Sequence, residues 1–383
     1  MRQLSPTEVT LVRHLVTGSE PPAEDALIDW DLVLTSAGYH RLSPLLYEGL
    51  KRTPVAIPHV VATRLERAFH VELAKAVVRF HHVEMLEAIA ERSGRALSLL
   101  KGAAFANALY PHPALRPMAD IDALVHPNEL SAWDGDVTAL GFQRHDTSDH
   151  AVCFRHRLSG VFLELHRSLT SCNDYLGMDT ATLLERARRS GGLRTLSPED
   201  HLIHLCLHAS FQHGFRQAAV NAYDARLLVT HPEFDTALFL ERSNTRRLGP
   251  WVYGGLALSR SVFPSDELDA LATALRATVS HRVARKLSRL DAPAGLTPNP
   301  KATTGPPLRR VLWAGDIQST LSLLKEVLRP RATANVSQAS RWTERAAQLL
   351  WNHCLRLIPL ALMKQVPTFL RPTPASLGEV RDV

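Results

Sequence analysis

The chain has 383 residues, a formal charge of +6 at neutral pH, 45% apolar residues and 21% charged residues. At roughly 150 residues per domain this is two to three domains' worth of chain. The composition excludes a predominantly disordered protein, and Gly 19 and Pro 24 without a period exclude a collagen-like or low-complexity one.

Four cysteines, Cys153, Cys172, Cys206 and Cys354, form no Cys-x-x-Cys pair, so neither a thiol-rich zinc site nor a disulfide framework is expected. That suits a reducing, cytoplasmic setting. The first residues, MRQLSPTEVTLVRHL, lack the apolar core and cleavage site of a secretory signal. The late apolar stretch Leu357–Met363 is interrupted by Pro359 and is far shorter than the ~20 residues that span a bilayer. The basic balance reads as a generic basic surface; a nucleic-acid footprint is the sharper alternative, and no RNA- or DNA-binding motif supports it.

Residues 1–95 read as a helical region. Ser5-Pro6-Thr7-Glu8 is a capping box with proline at the first helical position. Ser43-Pro44 opens a second helix, and an unbroken helical pattern from Pro58 to Arg92 stops at Gly94. From residue 96 strand and helix alternate. Ala96–Leu100 is a short buried strand, and Lys101-Gly102 leads into a helix over Ala103–Leu109. Met118–Val125 is a strand carrying two carboxylates, and Glu129–Leu140 a helix. Two β-like runs, Val152–Arg157 and Val161–Arg167, are separated by Ser159-Gly160, and Gly191-Gly192 marks a turn.

Helix returns at Ser197-Pro198-Glu199-Asp200, where Ser197 caps and Asp200 meets the positive end of the helix dipole. It runs to about Gln212, with further helix at Asn221–Thr230, Phe234–Arg242, Gly254–Val262 and Glu267–Leu287. The expected organisation is a helical region (1–95), an α+β core (96–196), a helical region packing on it (197–290), a Pro/Gly-rich linker (291–307) and a helical region ending in a loose tail (308–383). The C-terminal helices are a candidate surface for a protein partner.

The chemistry concentrates in Asp120-Ile121-Asp122. Side chains alternate along a strand, so both carboxylates share one face while Ile121, Ala123 and Val125 enter a core on the other. Two carboxylates so close repel unless a cation or water separates them. Hard oxygen ligands on one rigid face suit Mg²⁺, held together with a substrate's phosphates. In Val161–His166, Glu164 and His166 share a polar face. If that strand neighbours the first, three carboxylates converge into a site able to hold two metal ions about 3.5–4 Å apart, as in in-line phosphoryl or nucleotidyl displacement. Lys101 and Gly102, at a strand-to-helix turn, and Arg116 are the candidate phosphate-binding residues.

His201, His204 and His208 share one helix face. They form a polar stripe beside the sheet or, alternatively, a zinc-binding face; no Glu follows His204 directly, so the metalloprotease pattern is absent. His166 and His208 are candidate cleft-lining residues, and Asp224 is a carboxylate able to pair with a His or Arg near the cleft.

The order Leu100-Lys101-Gly102, Leu109-Tyr110-Pro111, Arg116, Asp120-Ile121-Asp122-Ala123-Leu124-Val125 and Glu164-Leu165-His166 resembles the bacterial "uncharacterised nucleotidyltransferase" family of the DNA polymerase β-like nucleotidyltransferase superfamily. The similarity continues into Leu196–Asp200 and Leu207-His208-Ala209, more loosely into Tyr223–Leu228, and spans roughly residues 40 to 260. The resemblance implies a small mixed sheet with packed helices inside a mainly helical protein. It also implies a site for Mg²⁺ (or Mn²⁺) and an NTP, with ATP the expected one. Asp120 and Asp122 would be the first two metal ligands and Glu164 the third. One feature departs from the wider superfamily: Lys101-Gly102 stands where Gly-Gly or Gly-Ser is usual. The implied activity is transfer of a nucleotidyl group to a peptide, protein, sugar or small molecule with release of pyrophosphate. The alternatives are a non-catalytic nucleotide-binding or scaffold protein of the same fold, a nucleic-acid-binding module, and a metal-dependent hydrolase using the histidine face.

Overall fold

The computed structural model describes residues 3–23, 26–215, 217–245 and 247–287, together with 295 and 296. Helices α1 (Pro6–Thr17), α2 (Trp30–Tyr39), α3 (Ser43–Leu50) and α4 (His59–Ser93) precede the sheet. The expected capping box closes α1: the Glu8 N–H donates to Ser5 Oγ at 3.3 Å and the Ser5 N–H to the Glu8 carboxylate at 2.6 Å. Helix α4, 35 residues long, stops at Gly94 in the left-handed conformation, as its sequence implies.

The core follows as β1 (Leu97–Leu100), α5 (Lys101–Ala108), β2 (Asp120–Val125), α6 (Leu130–Ala139), β3 (Phe142–Thr147), β4 (Ala151–His156) and β5 (Phe162–His166). Two short helices, α7 (Asn173–Leu176) and α8 (Thr180–Glu185), lead to β6 (Arg188–Ser190) and β7 (Leu193–Thr195). The strands form one mixed seven-stranded sheet in the order β3-β4-β5-β2-β1-β7-β6. The β2/β5 and β1/β7 pairs are parallel and the other neighbours antiparallel. The centre is the most apolar part: all of β1 is buried, and Ile121, Ala123, Leu124 and Val125 of β2 have no exposed surface. This is the expected α+β architecture.

Three strands went unannounced: β3 at one edge, and the β6–β7 hairpin, whose β6 is the other edge. In β3 every residue after Phe142 is exposed (Gln-Arg-His-Asp-Thr), so it shows no alternation of apolar and polar residues. Charged residues on an edge also discourage pairing with another chain. At the opposite edge the β6–β7 hairpin turns on Gly191 and Gly192, with φ of 58° and 83°. Two consecutive positive φ values are what a tight two-residue hairpin turn requires.

The helices after the sheet are α9 (Pro198–Leu207), continued by a π-helical turn to Gln212, then α10 (Val220–Val229), α11 (Thr236–Ser243) and α12 (Gly249–Val262). Ser197 caps α9 as expected, and Arg242 of α11 adds ion pairs to Asp200 (3.0 Å) and Glu199 (3.5 Å). The single helix expected over Glu267–Leu287 is instead two, α13 (Asp266–Leu275) and α14 (His281–Leu287). Thr278 Oγ1 donates back to the Leu275 carbonyl at 2.7 Å, and the next residue, Val279, is extended. Of the expected linker 291–307 only Gly295 and Leu296 are described; Leu296 is fully buried and its carbonyl accepts from Ser36 Oγ. The helices expected beyond residue 307 lie outside the described residues. No helix among the described residues is long and apolar enough to cross a membrane.

Candidate active site

Strands β2 and β5 lie side by side, with Asp120 opposite Phe162, Asp122 opposite Glu164 and Leu124 opposite His166. Residues directly opposite share a face, so Asp120, Asp122, Glu164 and His166 project together. Their side chains meet: His166 Nε2 is 2.9 Å from Asp122 Oδ1 and 3.4 Å from Glu164 Oε2. Lys101 enters from the other side. Strand β1 pairs with β2 so that Leu100 faces Asp122, and the next residue, Lys101, places its Nζ 3.0 Å from Asp122 Oδ1. Its backbone takes φ of 45°, a conformation L-residues seldom adopt.

Ligand atoms of Asp122, Glu164 and His166 all lie within 4.8 Å of one another, the one such cluster among the described residues. His166 thus joins the tightest trio, while Asp120 sits on the same face one strand repeat away. The histidine face of α9 forms no such cluster among the described residues.

The charges in this corner are unequal. Burial pushes Asp120 up to about 6, and the neighbouring charge of Asp122 adds to it. Burial opposes ionisation of Asp122 as well, but Lys101 and the His166 hydrogen bond outweigh it and hold its carboxyl well below the usual range. His166 is raised against its own burial by its bonds to Asp122 and Glu164. A buried aspartate further raised by the adjacent carboxylates is one whose ionised form a divalent cation would favour. Three carboxylates from two adjacent strands fit Mg²⁺ or Mn²⁺, with Asp120, Asp122 and Glu164 as oxygen donors. His166, bonded to two of them, is placed to orient them. On β4, Cys153 stands opposite Glu164, and its thiol is pushed up to about 11 by burial and the adjacent carboxylates. It is therefore a neutral thiol, not a nucleophile.

The remaining candidates are placed less directly. Arg116 is buried, with its Nε 2.8 Å and 2.9 Å from the two Asp224 oxygens. One Nη donates to Asp224 Oδ2 (2.6 Å) and Asn221 Oδ1 (2.9 Å), the other to the Pro117 carbonyl (2.6 Å). Tyr110 donates a further bond to Asp224 at 2.7 Å. The Asp–Arg pairing expected near the cleft is present, and it uses the guanidinium expected to clamp phosphate. Gly102 is needed for packing: a Cβ there would lie 2.8 Å from Met118 Cβ and 3.4 Å from an Arg116 Nη.

His208 is half-buried between Gln217 (Nδ1 to Oε1, 3.4 Å) and His213 (Nε2 to Nε2, 3.0 Å). Burial and then the charge of Lys101 hold it well below its ordinary pKa. His201 packs edge-on against Phe105 at 4.7 Å and is pushed down to about 3 by burial. These contacts fit the polar stripe packed beside the sheet. Two basic residues went unread in the sequence. Burial and then the charge of Arg116 lower Arg41, in the turn between α2 and α3, against the opposing charges of Asp120 and Asp122, and burial lowers Arg79 of α4 against those of Glu72 and Asp120. Both lie outside the Lys-Gly to Glu-Leu-His stretch, so no local motif points to them.

The family model described as uncharacterised nucleotidyltransferase matches residues 26–264. No curated protein matches the chain. Among solved structures, the antibiotic-resistance factor ANT(2'')-Ia is 14% identical, covering 55% of this chain and 96% of that one with a TM-score of 0.35. An antigenic nucleotidyltransferase-like protein from Paracoccidioides brasiliensis is 15% identical, covering 55% and 92% with a TM-score of 0.32. JHP933 from Helicobacter pylori is 16% identical, covering 55% and 93% with a TM-score of 0.27.

Proposed function

Since the chain belongs to the uncharacterised nucleotidyltransferase family, we propose that it transfers a nucleotidyl group from a metal-bound NTP to an acceptor, releasing pyrophosphate. The observation that carries this reading is the β2/β5 register, which brings Asp120, Asp122 and Glu164 onto one face beside Lys101. When bound, Mg²⁺ or Mn²⁺ would supply charge stabilisation at the phosphates and lower the acceptor's pKa. Asp120, Asp122 and Glu164 would hold the ions. His166 fixes Asp122 and Glu164 in orientation, and Lys101 is poised to exchange Asp122 for a phosphate oxygen. An acceptor oxygen or nitrogen attacks the α-phosphorus, the bond to the α,β-bridging oxygen breaks, and pyrophosphate carries away the electron pair.

ATP is the proposed donor, and a peptide, protein, sugar or small molecule the acceptor. The cytoplasm is the proposed location, in keeping with the free thiols of Cys153 and Cys206. The test is metal-dependent pyrophosphate release with labelled NTPs and a panel of acceptors. Asp120→Asn should abolish it, and undiminished turnover in that variant would sink the mechanism.

One observation favours a second reading, a non-catalytic nucleotide-binding protein of the same fold. Lys101 gives Asp122 a built-in counter-cation, which a metal-free binding site would need. Tight Mg²⁺–ATP binding with no product from any acceptor would favour it.

A further inference from the structure

We propose that Phe162 and Arg155 form the shelf on which the acceptor rests, and that they select an acceptor carrying an anionic group, a carboxylate or a phosphate. The inference rests on the nucleotidyltransferase reading above and supplies the substrate class it leaves open. In an in-line displacement the acceptor attacks the α-phosphorus from the side opposite the leaving pyrophosphate. In that reading Lys101, which enters from β1 and lies 3.0 Å from Asp122, takes the phosphates. The sheet runs β4-β5-β2-β1 through this region, so the acceptor side is β5 and then β4. Phe162 of β5 stands directly opposite Asp120, and Arg155 of β4 directly opposite Phe162. Opposed residues share a face and adjacent strands lie about 4.8 Å apart, so the row Asp120–Phe162–Arg155 leads away from the carboxylates in two steps of that size.

Exposure follows the same row. Asp120 and Phe162 are half-buried and Arg155 is exposed. In the other direction along the strands the face is shut: Leu124, two residues beyond Asp122, is fully buried in a cluster with Leu100, Leu169 and Leu183. The open route to the metal ligands therefore passes over Phe162. Its ring offers a surface to an apolar body, and His145 of β3 meets it edge-on at 5.4 Å. The Arg155 guanidinium lies over the same ring, 5.8 Å from its centroid, and beside Gly160, where a Cβ would sit 3.6 Å from one Nη. Those contacts place the fork without using its donors, and among the described residues it makes no hydrogen bond or ion pair. A guanidinium offers five donors and no acceptor, in a plane that fits carboxylate or phosphate oxygens two at a time. The acidic side chain on this flank, Asp146, stands opposite Cys153 in the next row, and its Oδ1 accepts from the Thr147 N–H at 2.7 Å. Carboxylates at one end, an aromatic ring in the middle and an uncommitted guanidinium at the other match one kind of acceptor. Its attacking oxygen or nitrogen and its anionic group sit at opposite ends of a compact apolar body.

The test uses the full-length chain with Mg²⁺ and probes of one shape and opposite charge, p-hydroxyphenylacetate and tyramine. A third probe, p-hydroxybenzylphosphonate, separates phosphate from carboxylate. Affinities are read by NMR titration, with ATP titrated alongside. The wild-type chain should bind at least one of the acids about tenfold more tightly than tyramine, the worth of one charge-assisted hydrogen-bonded contact, and the tighter acid names the group. Arg155→Ala should erase that preference and Arg155→Glu should reverse it, both with wild-type ATP affinity. Phe162→Ala should weaken all three probes and keep their order. Equal binding of the acids and tyramine, an unchanged preference in Arg155→Ala, or no binding of any probe by a chain that binds ATP would overturn the proposal. So would a loss of ATP affinity in Arg155→Ala, which gives the shelf to the nucleotide. If the wild-type chain binds no ATP, the nucleotidyltransferase reading falls, and this inference with it.

Discussion

Lys101 Nζ lies 3.0 Å from Asp122 Oδ1, the oxygen that His166 Nε2 also reaches at 2.9 Å. A carboxylate already holding an ammonium binds a metal ion less well, because the two cations compete for the same charge. Lys101→Met should therefore tighten Mn²⁺ binding in the absence of nucleotide, by about tenfold for the loss of one charge-assisted contact. The same change should weaken ATP binding, since the ammonium is then missing from the phosphates. Paired Mn²⁺ and ATP titrations check this. Weaker Mn²⁺ binding in the variant would show that Lys101 supports the metal site instead of competing with it.

His166 separates orientation from ligation. Its Nε2 bridges Asp122 and Glu164 from a fully packed position, and its Nδ1 has no hydrogen-bond partner among the described residues. Loss of a group that orients metal ligands typically costs 10- to 100-fold in metal affinity. His166→Asn should fall within about that range, with Glu164→Gln at least as severe. Mn²⁺ titration of both variants checks the ranking, and wild-type affinity in His166→Asn would remove its orienting role.

The centre of this site was legible in the sequence, and its periphery was not. Asp120-Ile121-Asp122 could be read because a buried strand imposes alternation, and Glu164 because Val161–His166 alternates in the same way. The contact between the two strands is tertiary, yet both patterns required a partner face. Edge strand β3 left no pattern, because its exposed residues face water and are free to be polar. Arg116 was misleading for a different reason. Its partner, Asp224, is 108 residues away, and spacing along the chain carries no trace of that pairing. Arg41 was hidden because it sits in a turn outside any motif.

The Arg116–Asp224 pair has one clear energetic consequence. Both side chains are almost fully buried, at 2% and 0% exposed, so removing one leaves the other charged and dry. Breaking such a pair costs about 3–5 kcal/mol. Asp224→Ala should lower the melting temperature by roughly 10 °C, taking about 2–4 °C per kcal/mol for a domain of this size. Arg116→Lys should not restore stability when compared with Arg116→Ala, because an ammonium cannot reproduce the fork. Thermal unfolding of the three variants is the check, and near-wild-type melting of Asp224→Ala would mean that water reaches the site.

Gly102 offers a compensation experiment. A methyl group at that position meets Met118 Cβ at 2.8 Å, too close for either atom to stay. Overpacking of this kind costs about 1–3 kcal/mol. Gly102→Ala should therefore destabilise the chain, and adding Met118→Gly, which removes the clashing Cβ, should destabilise it further by much less than Met118→Gly does in the wild-type background. Additive losses in denaturant unfolding would mean that the backbone at Lys101-Gly102 moves instead of Met118.

Acid sensitivity should reside partly at His82 of α4. Its Nε2 donates to Ser159 Oγ at 3.0 Å, and Ser159 Oγ in turn donates to His156 Nδ1 at 2.8 Å. Its ring lies 4.5 Å from that of His156 and 5.1 Å from Phe142. Burial first, and then the nearby charges of His156 and His81, lower its pKa from 6.5 to about 4. The unfolded chain therefore binds more protons than the folded one between pH 6.5 and 4. The stabilisation is intact above 6.5 and is lost as pH falls through that window. Asp120, raised to about 6, acts in the opposite direction over part of the same range, so the total profile does not isolate His82. The difference between wild type and His82→Gln does, because glutamine can keep a donor toward Ser159 without titrating. Urea unfolding from pH 4 to 7 should show the wild-type stability falling more steeply toward acid than that of the variant. Parallel profiles would place the acid-sensitive proton elsewhere.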